Sequence, residues 1–209
     1  MIPPSPVDEW DGMNDTVLLF DLGGVLVENA AFEILAGMMR DAPSEAELKS
    51  RWLLSPTVRR FETGGMDADA FAAALVAEFE LPMTPAAFVA AFTGWVKGFY
   101  PGAIALLGAL RRRHRIGCLS NSNVLHWIPD YERAFDFSYS SHLIGYIKPD
   151  RAAFAHVAAA QGLEPGRVIY FDDVPANVTA AIQHGFLAHH TVGFAALEAR
   201  LRQLGILPA

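Results

Sequence analysis

Apolar residues run without alternation in three places along the chain, and each run stops at a cluster of polar residues. Val17-Leu18-Leu19-Phe20 leads into Asp21 and the pair Gly23-Gly24, Ile116-Gly117-Cys118-Leu119 leads into Ser120-Asn121-Ser122-Asn123, and Val168-Ile169-Tyr170-Phe171 leads into Asp172-Asp173. Runs of this length predict strands covered on both faces, as in a parallel sheet, where ligands bind beyond the carboxyl ends of the strands. Gly23 to Val27 can form a tight turn and short hairpin. From Pro101 onward the pattern alternates, with helices near 103–113, 124–134, 151–161 and 176–184, strands over 115–119, 137–139, 167–171 and 187–191, and a last helix to about 204. That alternation predicts an α/β protein with a parallel sheet and crossover helices.

Between residues 30 and 98 the period changes to that of helices. Phe71, Leu75 and Phe79 recur every four residues behind Asp67 or Asp69 as caps, and Phe88, Phe92, Trp95 and Phe99 form a second stripe behind Thr84-Pro85. A capping threonine followed by proline is a helix start, and aromatic stripes at this spacing are core faces. The expected organisation is a sheet domain built from 16–29 and 99–209, with 30–98 as a helical insert. Residues 1–15 hold three prolines and several acids, with no basic segment followed by an apolar one, and read as a loosely ordered leader rather than a signal peptide.

With 209 residues, 52% hydrophobic and 19% charged, the chain can bury a substantial core. A formal charge of -7 argues against nucleic acid or an anionic membrane surface as partner, because both need clustered basic residues. The one such cluster, Arg111-Arg112-Arg113-His114-Arg115, follows the apolar stretch Ile104 to Leu110 and suits a solvated helix C-terminus. Cys118 is the single cysteine, so no intrachain disulfide can form and a buried small hydrophobe is expected there. No apolar run approaches the roughly 18 residues of a membrane span. A reducing, cytoplasmic setting is the expectation.

The polar clusters converge on one sheet edge, joined by Lys148, which precedes Pro149-Asp150 at a helix start. Each has an ordinary reading: Ser120 to Asn123 and Asp150 as helix caps, Asp21 as a turn cap, Lys148 as a surface lysine. Together they say more. Adjacent carboxylates facing a third from another strand repel unless a hard cation or a lysine neutralises them, and such oxygens suit Mg²⁺ completed by waters and a phosphate.

In order, Asp21-Leu22-Gly23-Gly24-Val25-Leu26, Leu119-Ser120-Asn121-Ser122-Asn123, Lys148-Pro149-Asp150 and Phe171-Asp172-Asp173-Val174-Pro175-Ala176-Asn177-Val178 resemble the four motifs of the haloacid dehalogenase-like hydrolase superfamily. The resemblance implies a Rossmann-like core with a small helical cap inserted after the first motif. It implies Asp21 as a nucleophile taking the phosphoryl group, and Mg²⁺ held by the Asp21 carboxylate, the Gly23 carbonyl and Asp172. Ser120 and the Asn121 amide would bind phosphoryl oxygens, Lys148 would neutralise nucleophile and phosphate, and Asp173 would orient the metal's waters or Lys148. Small phosphate esters would be the substrates.

One departure matters. Phosphatases of the family usually carry a second Asp two residues after the nucleophile, and that residue here is Gly23. What is lost is a proton carrier, a contribution typically worth about 10²- to 10⁴-fold. The chain is similar to a sugar 1-phosphatase branch that also has Gly there, whose anomeric leaving group needs less protonation. Glu62, His126 or His142 are titratable candidates to replace the missing acid. A carbon-halogen hydrolase is a second reading, against which the retained Asp172-Asp173 pair argues, and a non-catalytic binding module is a third. In the insert, Arg59-Arg60-Phe61-Glu62-Thr63-Gly64-Gly65 breaks the apolar periodicity, either as a helix end or as a polar loop over the site.

Overall fold

The computed structural model describes residues 16–39 and 43–208, so the leader expected over 1–15 lies outside the described residues. In chain order the strands are β1 (Val17–Phe20), β2 (Val27–Asn29), β3 (Val96–Phe99), β4 (Arg115–Ser120), β5 (Phe137–Ser140), β6 (Val168–Asp172) and β7 (Leu187–His190). Five of them form one sheet in the order β5-β4-β1-β6-β7, every neighbouring pair parallel. β1 lies at its centre and is buried throughout. Val17 and Leu19 face a layer that contains α9 (Arg151–Gln161) and α10 (Pro175–His184), packing with Phe154, Val157 and Ala181. Leu18 and Phe20 face the opposite layer, where α6 (Ala103–Leu110) and α11 (Phe194–Gln203) contribute Leu107, Leu197 and Leu201. Cover on both faces is why β1 carries no polar alternation. This is the α/β, Rossmann-like fold.

After β1 the chain turns sharply: the Leu22 carbonyl accepts the N–H groups of Val25, Leu26 and Val27. Gly24 has φ +72°, and a Cβ there would lie 2.5 Å from Asp173 Oδ2, so only glycine lets the turn pass that carboxylate. The turn does not make the expected short hairpin. Gly23 and Val27 form only an isolated bridge, and β2 instead pairs antiparallel with β3, far along the chain.

Between β2 and β3 the described residues form five helices: α1 (Ala31–Met38), α2 (Glu45–Leu54), α3 (Pro56–Glu62), α4 (Ala68–Glu78) and α5 (Pro85–Thr93). Asp67 rather than Asp69 caps α4, its carboxylate accepting the Ala70 N–H at 2.8 Å, and Thr84 caps α5 ahead of Pro85. Phe71, Leu75, Phe79, Phe88, Phe92 and Trp95 are buried in one cluster, where Phe61 stacks on Phe71 with centroids 3.9 Å apart. Phe99, assigned by its spacing to the same stripe, departs from it. The helix stops at Thr93 and Gly94, and Phe99 sits in β3, packed on the sheet's core against Tyr131. The helix expected over 124–134 is likewise shorter, α7 (Pro129–Arg133). Asn123 accepts the Leu125 N–H, which favours a turn, and Pro129 has no N–H and so begins a helix rather than continuing one.

Candidate active site

The sheet topology gathers the polar strand ends at one point. Asp21 leaves β1 with its N–H still donating to the Phe171 carbonyl at 2.8 Å, so it is held by the ladder beside β6. Lys148 comes from the loop between α8 (Ser141–Ile144) and α9, and its side chain is only 1% exposed. Its ammonium donates to Asp21 Oδ1 at 2.7 Å, to Asp172 Oδ2 at 2.8 Å and to the Tyr170 hydroxyl at 2.9 Å. Asn121 fixes that loop: its side chain donates to the Lys148 carbonyl and accepts from the Lys148 N–H, each at 2.9 Å. Ser120 is buried beside it, and its hydroxyl is 3.5 Å from the Asn121 carbonyl, too long to commit it there.

The two adjacent acids differ. Asp172 accepts from the Val174 N–H at 2.8 Å, from the Asn177 amide at 3.0 Å on both oxygens, from Lys148 and, closely, from the Tyr170 hydroxyl. Those donors fill the lone-pair directions of a carboxylate. Asp173 is half-buried, with its carboxylate against Gly24. Ligand oxygens of Asp21, Asp172 and Asp173 lie within 4.8 Å of one another. Three carboxylates against one ammonium leave two negative charges uncompensated, and an all-oxygen donor set of that charge fits a hard divalent cation.

Burial pushes the Asp21 carboxyl up to about 7, with the Asp172 and Asp173 charges adding to the rise and Lys148 opposing it. Asp173 is raised to about 6 by burial and by Asp172. Burial alone would lower the Lys148 ammonium, but the charges of Asp172 and Asp21 outweigh it and hold it above its ordinary range. The electrostatics therefore favour a charged lysine and disfavour so many carboxylates together.

The three titratable candidates of the sequence fare differently. His126 contacts the Phe92 carbonyl with Nε2 at 2.7 Å and the Asn123 amide with Nδ1 at 3.3 Å, joining insert to sheet. His142 has Nδ1 at 2.6 Å from Ser140 Oγ. Glu62, the last residue of α3, is buried beside the Trp52 side chain and lies in the fields of Lys148 and Asp21. Asp150 occupies the N-cap position of α9 as expected, but no side-chain cap bond forms. Its carboxylate instead takes both arms of the Arg59 guanidinium, so Arg59 is a seam between insert and sheet domain rather than a free helix-end charge.

A family model described as haloacid dehalogenase-like hydrolase matches residues 16–185. The chain belongs to that family. It is a HAD-like hydrolase, and solved structures share its fold. A HAD family enzyme from Bacteroides thetaiotaomicron matches with TM-score 0.66 and 21% identity over 85% of this chain and 94% of its own, in a complex with magnesium and inorganic phosphate. A predicted HAD-like family hydrolase from Porphyromonas gingivalis gives TM-score 0.69 and 23% identity, over 91% and 98%. An L-2-haloacid dehalogenase gives TM-score 0.58 and 22% identity, over 85% of each chain.

In the HAD-like site, Tyr170 escapes a reading of the sequence, and Asn177, although it stands in the fourth motif, is given no role there. Tyr170 looks like one more apolar strand position, and its hydroxyl reaches Lys148 only because β6 turns it toward the loop before α9. Asn177 lies in the first turn of α10 and is buried on Asp172. Its fixed distance from the acidic pair, at a helix start, is the one signal that points to it.

Proposed function

We propose that this HAD-like hydrolase is a Mg²⁺-dependent phosphomonoesterase acting on small phosphate esters, with sugar phosphates and among them sugar 1-phosphates as the favoured class. The observation that carries this reading is the cluster of Asp21, Asp172 and Asp173 around the buried Lys148, whose residual negative charge suits a divalent cation that a phosphate would then join. Asp21 attacks phosphorus in line and becomes an aspartyl-phosphate, which water then hydrolyses. Lys148 neutralises Asp21 and the equatorial phosphoryl oxygens, while Ser120 and the Asn121 amide hold those oxygens. Mg²⁺ would supply further charge stabilisation, held by Asp21, the Gly23 carbonyl and an acid of the pair. The family resemblance implies Asp172 as that acid. Its five hydrogen-bond contacts favour Asp173 for the metal instead, with Asp172 positioning Lys148.

Residues 30–98 act as a cap that closes over the sheet edge, and a cytoplasmic setting suits the lone buried thiol of Cys118. Carbon-halogen hydrolysis would give the acidic pair no task. The test is phosphate release from a panel of small esters with Mg²⁺ and with chelator, for the wild type and Asp21→Asn. Metal-dependent release, lost by at least about 10⁴-fold in the variant, is expected for a missing nucleophile. Halide release from haloacids with no phosphate release would overturn the reading.

A further inference from the structure

We propose that Glu62 is the acid–base residue of this site, giving a proton to the departing alcohol and later taking one from the water that releases phosphate. The inference rests on the phosphomonoesterase reading, and it assigns the work for which Gly23 has no side chain.

α3 is fixed at its start by its own cap and brought to the cluster near its end by two contacts. Ser55 and Pro56 start the helix, with Ser55 Oγ accepting the Val58 N–H at 3.1 Å. Past its end, Gly64 has φ +75° and packs so closely on α8 that a Cβ would lie 2.4 Å from the His142 carbonyl oxygen. Arg59 grips Asp150, two residues beyond Lys148. The last residue of a helix fixed in this way is Glu62, whose buried carboxyl senses the attraction of Lys148 and the repulsion of Asp21. Its other neighbour is the Trp52 side chain, a neutral donor. The arginines of α3 are turned elsewhere, Arg59 to Asp150 and Arg60 to the Gly65 carbonyl at 3.0 Å.

A buried carboxyl whose near neighbour is the neutral Trp52 side chain is costly to keep ionised, and burial lifts it to about 7 against the opposing pull of Lys148, so both protonation states are populated near neutrality. A carboxyl perturbed by burial beside specific charged groups is a candidate for function. The competing candidates are engaged elsewhere: His126 spends both ring nitrogens on Phe92 and Asn123, and His142 holds Ser140 through Nδ1.

The proton balance closes over two steps. As Asp21 forms its bond to phosphorus and the P–O bond to the leaving group breaks, the Glu62 proton passes to the leaving oxygen, giving the free alcohol and a Glu62 carboxylate. Water then attacks the phosphoryl group, its proton passes to Glu62 and the P–O bond to Asp21 breaks. Inorganic phosphate leaves with Asp21 and Glu62 restored.

The test is kcat/KM for phosphate monoesters graded by leaving-group acidity, from nitrophenyl to simple alkyl and sugar esters, in the wild type and Glu62→Gln, with melting curves to verify folding. The expected result is a loss of about 10²- to 10⁴-fold on alkyl esters and a loss at least tenfold smaller on nitrophenyl phosphate, which needs no protonation. An equal loss on every ester, or none, overturns the proposal. Should the variant not fold, the wild type still decides: a weak dependence of kcat/KM on leaving-group acidity supports an internal acid, and a steep fall toward alkyl esters overturns it. If the wild type releases phosphate from no ester at all, nitrophenyl phosphate included, the phosphatase reading itself has failed.

Discussion

The strand-end cluster and the helical insert solve the problem of buried charge in opposite ways. On the sheet edge, carboxylates are packed together and then supplied with donors: Asp172 takes bonds from a backbone N–H, an amide, a phenol and an ammonium. In the insert, Trp52, Phe61, Phe71, Phe79, Phe88, Phe92 and Trp95 pack ring against ring, and Glu62 is set beside them with a single neutral donor. At Glu62, burial makes the carboxyl hold its proton. The same side-chain chemistry is thereby an anchor in one region and a proton carrier in the other.

Removing the cation should break the contrast most severely. Lys148→Ala leaves Asp21 and Asp172 facing each other in the interior, and a loss of about 3–5 kcal/mol in unfolding free energy is expected for an orphaned buried charge. Denaturant unfolding at neutral pH measures it. Added Mg²⁺ should recover more melting temperature in the variant than in the wild type, since an ion can stand in for the missing ammonium.

A smaller effect should appear in the insert, with the opposite sign. Glu62 rises from 4.5 to about 7 on folding. The folded protein therefore binds this proton more tightly than the unfolded chain. Glu62 costs nothing below pH 4.5, destabilises progressively as the pH rises, and reaches its full cost above 7. Glu62→Gln should then be more stable than the wild type at pH 8, by up to about 3 kcal/mol, with the gain gone at pH 4. A variant destabilised at both pH values would mean that the carboxylate is held by a partner and that the two regions are alike.

The seam between the regions should matter least. Arg59 and Asp150 keep side-chain exposures of 54% and 42%, so Arg59→Ala is expected to cost no more than about 1 kcal/mol. Urea unfolding that shows twice that loss would make this pair, rather than the apolar contacts of Leu125 with the insert, the main fastening.

Much of the sheet was legible because burial on both faces of a strand leaves an unmistakable apolar run: β1, β4 and β6 end where Asp21, Ser120 and the acidic pair predict. The helix caps at Asp67 and Thr84 were equally plain, being local hydrogen bonds between near neighbours. What escaped depends on distance along the chain. Phe99 fits a helical spacing and becomes a strand because Val27 lies opposite it. Asp150 looks like a cap, and Arg59 from another helix claims it. Nothing in Asp172-Asp173 says which carboxylate will meet Tyr170 and Asn177, because that division is made by the twist of β6 and the first turn of α10.

Cys118 lies in β4 at zero exposure, between the strands that carry Asp21 and Ser138, and burial pushes its thiol up to about 12. A thiol so placed has almost no thiolate at neutral pH and no path to a reagent while the sheet is intact. Its alkylation therefore requires β4 to come away from its neighbours, an opening that approaches global unfolding. The one sulfhydryl of the chain is thus a built-in clock for the integrity of the sheet, readable in the unmodified protein by the rate at which a labelling reagent finds it.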